Sequence, residues 1–310
     1  MKTVSVVIPV YKGAETLPFL FKAFCDVEKK LVEKGVSLHL IFVDDGSRDD
    51  TYPELLNLKT QRQERITIIK LTKNFGAICA SNAGLKYVKG DAFTIYAADM
   101  QDPPELLVQM VDKWLEGKKY IICQRNIKRK DPLSTRLFAF FYYKLINVFV
   151  VKDFPKTGFD IMFWDSQFLP YIKNTSKNIN RSLYAHWLGV VPEVIMYDRP
   201  ERMHGKSKWT FNKKVKLFVD SFLGFSMLPI RISSIIGGVV AVCSFVYACI
   251  IVIGSILGNV KVPGYASLMA STSFLMGIVI LMLGVIGEYV WRIFDEVNKR
   301  PEAVIEEVLE

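Results

Sequence analysis

The sequence lacks the signatures of several common enzyme classes. Its 310 residues contain no G-x-G-x-x-G and no G-x-x-x-x-G-K-[ST], so neither a dinucleotide redox cofactor nor a P-loop nucleotide site is indicated. No nucleophile-elbow signature marks a serine hydrolase. The three histidines and five cysteines include no CxxC pair, which argues against a zinc site built from sequence neighbours and against a disulfide framework. The cysteine pattern therefore fits a reducing cytoplasm.

Charge is almost absent from one long stretch in the C-terminal part. Between residues 232 and 287 the only charged residue is Lys261. The runs Ile232–Leu257 and Tyr265–Gly287 contain 26 and 23 uncharged residues, and a helix needs about 20 to cross the hydrocarbon of a bilayer. A buried hairpin in a soluble protein is the alternative, which these lengths disfavour. Two membrane-spanning helices are therefore predicted.

The placement of basic residues predicts the topology of these two helices. No signal peptide is recognisable, because the opening apolar run is short and is broken by Pro9. Basic residues precede the first run and follow the second, whereas only Lys261 lies between them. The positive-inside rule then places the N-terminal part and both termini in the cytoplasm. A multi-pass protein of the cell inner (plasma) membrane is expected.

The chain is basic, with 40 Lys and Arg against 31 Asp and Glu and a formal charge of +9. The excess lies in residues 118–136, with a net +6, and 196–231, with a net +5. Such clusters suit a phosphorylated substrate or an anionic lipid surface, and a solvated face is the simpler alternative. Residues 199–208 add a hydroxyl to four cations, which suits phosphate oxygens. Because no nucleic-acid-binding motif accompanies the clusters, no nucleic-acid partner is expected.

The N-terminal half alternates strand-like and helix-like segments, which predicts an α/β domain with a mainly parallel sheet. Ligands of such sheets bind outside the carboxyl ends of the strands. Polar clusters fall there at Pro9–Tyr11, Asp44–Ser47 and Asp99–Asp102. The predicted strands are Val4–Val10, Leu38–Val43, Ile66–Leu71, Ala92–Ala98 and Tyr120–Cys123, and the predicted helices are Glu15–Lys34, Thr51–Lys59, Ala77–Val88 and Pro104–Gly117.

Two further segments are predicted to lie at an interface. Leu133–Val151 is crowded with aromatic residues but is interrupted by Arg136 and Lys144, so membrane-surface binding and core packing both stay open for it. From Phe211 onward, apolar residues recur at helical spacing with lysines between them. That pattern favours an amphipathic helix lying on an anionic membrane surface.

Carboxylates at the predicted strand ends are the candidates for chemistry. Asp99 and Gln101 offer oxygen ligands suited to Mg²⁺ or Mn²⁺, which takes other ligands from water and substrate phosphates. Asp102 precedes two prolines and is expected to be mainly structural, as the cap of the following helix. Asp44 and Asp45 belong to a turn-forming sequence. They are costly to bury without partners, and a nucleoside could supply those partners.

Taken in order, these motifs resemble family 2 glycosyltransferases of the GT-A fold, and most closely the polyprenyl-phosphate glycosyltransferases. That group includes bactoprenol glucosyltransferases and dolichol-phosphate mannose synthases. The resemblance covers nearly the whole chain. It rests on ValValIleProValTyr at 6–11, AspAspGlySer at 44–47, AsnPheGly at 74–76, AlaAspMetGlnAspProProGlu at 98–105, Arg125, Arg199 and Arg202 with GlyLysSerLys at 205–208, PheSerMetLeuPro at 225–229, and the segment 287–301.

The resemblance implies a role for each matching position. It assigns the nucleotide-sugar to Pro9, Tyr11, Glu15, Asp44, Asp45 and Asp99, the divalent cation to Asp99 and Gln101, the lipid phosphate to Arg125, Arg199, Arg202, Ser207 and Lys208, and catalysis to Asp160, Arg125 and Asp99. Two positions depart from the family pattern. Ala97 stands where an Asp-x-Asp motif would begin, so a cation would depend more on Gln101 and the donor diphosphate. Ile161 and Met162 follow Asp160, where the family often reads AspPheArg.

The implied activity is inverting transfer of one sugar from a nucleotide-sugar to undecaprenyl or another polyprenyl phosphate at the cytoplasmic leaflet, for modification of cell-envelope glycans. A UDP-linked hexose is the preferred donor, and GDP stays open. Because a phosphomonoester is mostly dianionic at neutral pH, Asp160 is expected to orient the acceptor or stabilise the sugar cation. A catalytically inactive membrane scaffold, which Ala97 keeps open, and a processive polysaccharide synthase are the alternatives. The latter is disfavoured because no Gln-x-x-Arg-Trp motif is present.

The expected organisation has four parts. A cytoplasmic GT-A domain covers 1–210 and a juxtamembrane amphipathic helix covers 211–231. Two transmembrane helices occupy 232–290, and 291–310 form a cytoplasmic tail. A homo-oligomer is expected.

Overall fold

The computed structural model describes residues 1–126, 133–152, 154–155, 158–173, 175, 180–198, 218–219, 221–226, 228–257, 264–298 and 300–310. The chain forms two compact units. The first contains Met1–Leu217 and Pro301–Glu310, and the second contains Phe218–Arg300.

One mixed sheet forms the centre of the first unit. Its strands are Lys2–Val10 (β1), Val36–Asp44 (β2), Ile66–Leu71 (β3), Ala92–Ile95 (β4), Tyr120–Arg125 (β5), Ile161–Asp165 (β6), Glu193–Tyr197 (β7) and Ile305–Leu309 (β8). Their order across the sheet is β7-β5-β6-β4-β1-β2-β3-β8. β6 is antiparallel to β4 and β5, and β8 is antiparallel to β3. The remaining pairs are parallel, which confirms the predicted mainly parallel sheet.

Helices cover both faces of this sheet, because the central strands are apolar on both sides. Val4, Val6, Val7 and Ile8 of β1 are all fully buried. The helices of this unit are Leu17–Val32 (α1), Thr51–Gln61 (α2), Ala77–Leu85 (α3), Leu106–Leu115 (α4), Leu133–Phe149 (α5), Leu169–Ile172 (α6) and Arg181–Trp187 (α7). α1, α2 and α4 share one hydrophobic cluster, and α3, α6 and α7 share the other.

The predicted boundaries are close to the observed ones, with one difference that matters for the site. The four predicted helices all form, each within three residues of its predicted ends. The strand predicted as Ala92–Ala98 already ends at Ile95. The chain leaves the sheet there, so that Ala97 and Asp99 belong to a loop and not to a strand.

The C-terminal residues complete the sheet of the first unit. The sequence suggested a separate tail over 291–310, but β8 pairs with β3, with Leu309 opposite Ile68. Acidic side chains of this segment bind partners on the domain. The pairs are Glu302 with Asn82 (2.6 Å), Glu306 with Lys70 (2.9 Å), Glu307 with Tyr52 (2.5 Å) and Glu310 with Lys89 (2.6 Å). Residues 301–310 of the predicted cytoplasmic tail therefore belong to the first unit.

Helix α5 has one packed face and one exposed apolar face. Ile146 is fully buried and Tyr142 is 9% exposed. Phe140 and Val148 are 61% and 64% exposed. One face of this helix thus packs in the core, and membrane-surface binding of the other face stays a prediction.

The second unit contains two long apolar helices, Leu228–Ile256 (α8) and Tyr265–Val297 (α9). By length and composition, both could cross a membrane, with mean hydropathies of 1.8 and 2.1 over Leu228–Tyr247 and Phe274–Val297. Their apolar side chains are largely uncovered within the unit. The amphipathic helix predicted for 211–231 lies outside the described residues up to 217.

Candidate active site

The polar residues singled out by the sequence meet along one edge of the sheet. In a parallel sheet the carboxyl ends of the strands share an edge, and an antiparallel strand begins there. The residues on this edge are Asp44 at the end of β2, Asp99 after β4, Arg125 at the end of β5, Asp160 immediately before β6 and Tyr197 at the end of β7. Four predicted residues and one that was not predicted therefore border a common site.

Asp44 is a fully buried carboxyl group with one unused oxygen. Its Oδ1 accepts a hydrogen bond from the Ser47 backbone N–H at 3.0 Å. Its Oδ2 is buried and has no hydrogen-bond partner among the described residues. Burial raises the pKa of Asp44, because the charged form loses its hydration. A ligand that donates an N–H or O–H to this oxygen would relieve that cost.

Asp45 has a different environment from its neighbour. Its Oδ1 accepts from the Phe75 backbone N–H at 2.7 Å and its Oδ2 from the Gly76 backbone N–H at 2.9 Å. Both oxygens therefore hold the AsnPheGly turn at 74–76, although burial still raises the pKa of Asp45. The structure gives Asp45 a scaffolding role, which the nucleotide assignment from the sequence did not include.

The loop after β1 is tied to the loop after β2. The Lys12 backbone N–H donates to Ser47 Oγ at 3.0 Å, and the Gly13 backbone N–H donates to Thr51 Oγ1 at 2.9 Å. Of the predicted nucleotide residues here, Pro9 is half-buried, Tyr11 is 37% exposed and Glu15 is exposed. The loop that carries the solvent-accessible ring of Tyr11 is thus hydrogen-bonded to the loop that follows Asp44.

The turn after β4 carries the predicted cation ligands. Asp99 and Gln101 are half-buried, and Met100 between them has a φ of 54°, in the left-handed region that side chains rarely adopt. The Gln101 backbone N–H donates to Asp99 Oδ1 at 3.3 Å. This strained turn holds both side chains on the same short loop, as a shared ligand requires.

The residues of this turn fit a cation that is bound partly by the substrate. No group of three His, Cys, Asp or Glu side chains suited to a metal occurs within the part of the chain that the structure describes. Asp99 and Gln101 instead supply one carboxylate and one amide oxygen. Mg²⁺ commonly binds with one or two carboxylates plus water and substrate phosphates. This donor set therefore suits an ion that arrives with a diphosphate.

Asp102 does not cap the following helix, contrary to the prediction. α4 begins at Leu106 with Glu105 at its N-cap. The Asp102 side chain is 5% exposed, and its Oδ1 accepts from the Tyr197 hydroxyl at 2.8 Å. Asp102 therefore connects the loop that carries Asp99 and Gln101 to the end of β7.

Asp160 is held by two neighbouring strands. Both of its oxygens accept hydrogen bonds from the Arg125 guanidinium, and Oδ2 also lies 3.0 Å from the Tyr197 hydroxyl. Burial lowers the pKa of Arg125, but the hydrogen bonds and charge of Asp160 outweigh burial and raise it overall. Burial and the two carboxylates raise the pKa of Tyr197, so its hydroxyl stays protonated. Asp160 is thus a fixed, ionically paired carboxylate.

Four predicted residues cannot be placed. Arg199, Arg202, Ser207 and Lys208, assigned to the lipid phosphate, lie outside the described residues. Arg199 is two positions beyond Tyr197 in the sequence.

Tyr197 is the functional candidate that sequence reasoning missed. No strand was predicted for residues 193–197. A short apolar run, Val194–Met196, that ends in a tyrosine directly before Asp198 and Arg199 is the signal that could have indicated another strand end at this edge.

Comparison with known proteins places this geometry in a family. The Glycosyl transferase family 2 model matches residues 5–171, more than half of the chain. An uncharacterized glycosyltransferase, sll0501, of Synechocystis sp. is 34% identical and covers 96% of this chain and 92% of its own. The prophage bactoprenol glucosyl transferase homolog of Escherichia coli is 30% identical over 98% of this chain and 99% of its own.

A bactoprenol glucosyl transferase of Shigella phage SfII is also 30% identical, over 97% of both chains. Among solved structures, the mannosyltransferase PcManGT from Pyrobaculum calidifontis aligns with a TM-score of 0.45 at 15% identity, covering 90% of this chain and 86% of that one. With a family match over most of the sheet and 30–34% identity along nearly the whole length, the chain belongs to glycosyl transferase family 2 and is a glycosyltransferase of GT-A fold.

Proposed function

We propose that this glycosyltransferase moves one sugar, with inversion, from a nucleotide-sugar to a polyprenyl phosphate at the cytoplasmic face of the inner membrane. The donor we propose is a UDP-linked hexose. The observation that carries the proposal is the convergence of Asp44, the Asp99–Gln101 turn and the Asp160–Arg125 pair on one edge of the sheet. The relatives named as bactoprenol glucosyl transferases, aligned over nearly the whole chain, support the lipid acceptor.

The donor would extend along this edge from β2 to β5. The buried Oδ2 of Asp44 is suited to an N–H or O–H of the nucleoside, and the exposed ring of Tyr11 lies in the neighbouring loop. Asp99 and Gln101 would hold a divalent cation, Mg²⁺ or Mn²⁺, at the diphosphate. When bound there, the cation neutralises charge on the leaving group.

The proposed reaction requires little proton transfer by protein side chains. An oxygen of the acceptor phosphate forms a bond to the anomeric carbon, the bond from that carbon to the diphosphate oxygen breaks, and the nucleoside diphosphate leaves with the electron pair. The acceptor is already mostly dianionic at neutral pH. Both Asp160 oxygens already accept hydrogen bonds from Arg125, so a cation holds this carboxylate in place. We therefore assign Asp160 to electrostatic stabilisation of the sugar and orientation of the acceptor.

The first unit continues into the rest of the chain on one edge of its sheet. The chain leaves the sheet after Tyr197, the last residue of β7, and returns at Ile305, the first residue of β8. Because β8 is antiparallel to β3, both points lie on the edge that carries Asp44 and Asp160.

We further propose that α8 and α9 anchor the protein as a two-helix membrane hairpin with both termini cytoplasmic, and that the enzyme works as a homo-oligomer. The exposed aromatic face of α5 would rest on the lipid headgroups. Single cysteines, introduced near the termini and between the helices in a cysteine-free background, test the orientation with a membrane-impermeant thiol reagent in intact cells. Labelling from outside at a terminal cysteine would refute it.

The activity is tested with the full chain in detergent, a panel of radiolabelled UDP- and GDP-sugars, and undecaprenyl phosphate. Transfer of label into an extractable anionic lipid is the expected result. Asp160→Asn is expected to lower kcat by about 100-fold, because one charged partner of the developing cation is lost. Asp165, at the opposite end of β6, provides a matched Asp→Asn control. Its carboxylate binds Trp114 Nε1 at 3.0 Å, so Asp165→Asn is expected to affect stability but not turnover.

Three results would separate the proposal from its alternatives. Restored activity of Asp160→Asn at high pH would indicate a catalytic base. Product that grows into a polymer would indicate a processive synthase. Nucleotide-sugar binding without turnover, with every donor in the panel, would refute the proposed reaction in favour of a sugar-binding scaffold.

A further inference from the structure

A buried tyrosine joins the two loops that the proposed reaction depends on. Tyr197 is the last residue of β7 and lies opposite Arg125, the last residue of β5. Its side chain is 6% exposed, and its hydroxyl lies 2.8 Å from Asp102 Oδ1 and 3.0 Å from Asp160 Oδ2. Asp102 directly follows the Asp99–Gln101 turn, which is the proposed cation site, and Asp160 precedes β6. The single hydroxyl therefore connects the proposed diphosphate site to the carboxylate at the sugar.

The chemistry of a phenol makes this contact directional. The hydroxyl has one proton, so it donates fully to only one carboxylate at a time. Arg125, at the end of β5, binds both oxygens of Asp160. The phenol is attached to a different strand, β7, and so supplies a second, independent fixed point. Hydrogen bonds to an ionised group are among the stronger ones in proteins.

We propose that Tyr197 is a positioning residue that fixes the Asp160 carboxylate relative to the Asp99–Gln101 turn by sharing its hydroxyl proton between Asp102 and Asp160. The inference rests on the proposed function, because it assigns Asp160 to the reacting sugar. Tyr197 does not need to touch the substrate. Its effect is expected on kcat, since the donor would be bound mainly by Asp44 and the cation turn.

The test compares Tyr197→Phe with Tyr120→Phe. Tyr120 begins β5, is 1% exposed, and its hydroxyl has no hydrogen-bond partner in the described part of the chain. Its ring stacks on Trp164 at 3.7 Å between centroids, which a phenylalanine preserves. The two variants thus remove the same atom from the same sheet, once with and once without carboxylate partners.

Tyr197→Phe is expected to lower kcat by about 10–100-fold, the rate equivalent of one hydrogen bond to a charged group, and to change the KM for the donor by less than about threefold. Tyr120→Phe is expected to keep the wild-type kcat and KM. A purely structural role for Tyr197 would lower the fraction of folded enzyme and leave the kcat of each folded molecule, and so the split between kcat and KM, unchanged.

A second measurement does not depend on turnover. Thermal unfolding is measured for Tyr197→Phe, Asp160→Asn and the double variant. The decrease in Tm of the double variant is expected to be smaller, by about 2–4 °C, than the sum of the decreases of the two single variants. If wild-type protein forms no lipid-linked sugar, the proposed reaction fails, while this cycle still tests the contact. If wild-type protein is active and Tyr197→Phe keeps its kcat, the inference is overturned and the proposed function stands. An additive cycle overturns the inference in either case.

Discussion

Two glycines flank strand β2 and provide a matched pair of substitutions. Gly35 precedes the strand and Gly46 follows it, and both have positive φ angles, 73° and 65°. A Cβ at Gly35 would meet nothing within 4 Å. A Cβ at Gly46 would lie 2.3 Å from the carbonyl carbon of Lys73 and 2.8 Å from the nitrogen of Asn74. Backbone atoms cannot rotate away, so the loop over 73–76 would have to move.

The expected loss of stability has two sources, the left-handed φ and the close contact with backbone atoms. A left-handed φ costs a residue with a Cβ about 1–2 kcal/mol, and Ala in place of Gly regains part of that through the unfolded state. Gly35→Ala is therefore expected to destabilise by about 1 kcal/mol. Forcing extra volume into a filled site adds about 1–3 kcal/mol. For a domain of this size, Gly46→Ala should lower Tm by about 2–12 °C more than Gly35→Ala.

The same displacement is expected to weaken donor binding. The loop over 73–76 supplies both backbone N–H groups that hold the Asp45 carboxylate, and Asp45 is adjacent to Asp44 at the nucleoside site. A roughly tenfold rise in the KM for the donor is expected for Gly46→Ala and none for Gly35→Ala, which corresponds to about 1.4 kcal/mol. Thermal unfolding and donor titrations of the two variants measure both effects. Equal Tm values and equal KM values would refute the argument from the close backbone contact.

Three more predictions concern His39, Asp44 and the β8 segment. The His39 ring lies between the Ser5 and Thr67 hydroxyls, and burial lowers its pKa from 6.5 to about 4. Because the unfolded chain binds the proton more tightly, the protein loses about 3 kcal/mol of stability through His39 as pH falls from about 6.5 to 4. Denaturant unfolding over that range should therefore show that the free energy of unfolding of His39→Gln falls less with decreasing pH than that of wild type. Asp44→Asn should stabilise the free protein, increasingly as pH rises above about 4, because burial raises the folded-state pKa of that carboxyl, yet UDP should raise its Tm less than that of wild type. Deleting residues 301–310 should uncover β3 and promote aggregation, measured by light scattering, whereas Glu310→Gln alone, at an exposed ion pair, should behave like wild type.

Local patterns predicted the centre of the sheet well. β1, β2 and β3 are apolar runs that are buried on both faces, so their composition marks them without knowledge of their neighbours. Because the carboxyl ends of parallel strands share one edge of a sheet, Asp44, Asp99 and the nearby turns could then be predicted to lie on the same edge. The strand ends, and with them the region of the site, could therefore be predicted from sequence alone.

The outer strands were not predicted, because their stability depends on distant partners. β8 reads IleGluGluValLeu, an acidic segment whose pairing with β3 joins residues such as Leu309 and Ile68. Similarly, Asp102 looked like a helix cap by position, and only the folded chain shows its contact with Tyr197, 95 residues away. Side chains that are fixed by long-range contacts leave no periodic signal in the sequence.

The position of β8 in the chain has a consequence for biosynthesis. A ribosome makes β3 early, then both apolar helices, and only afterwards the strand that covers the β3 edge. Until that point, the growing sheet keeps an open row of backbone N–H and C=O groups, which invites pairing with other chains. The last step in folding the catalytic half thus waits for translation of the hydrophobic half, so a chain interrupted before residue 301 would keep this edge of the sheet open.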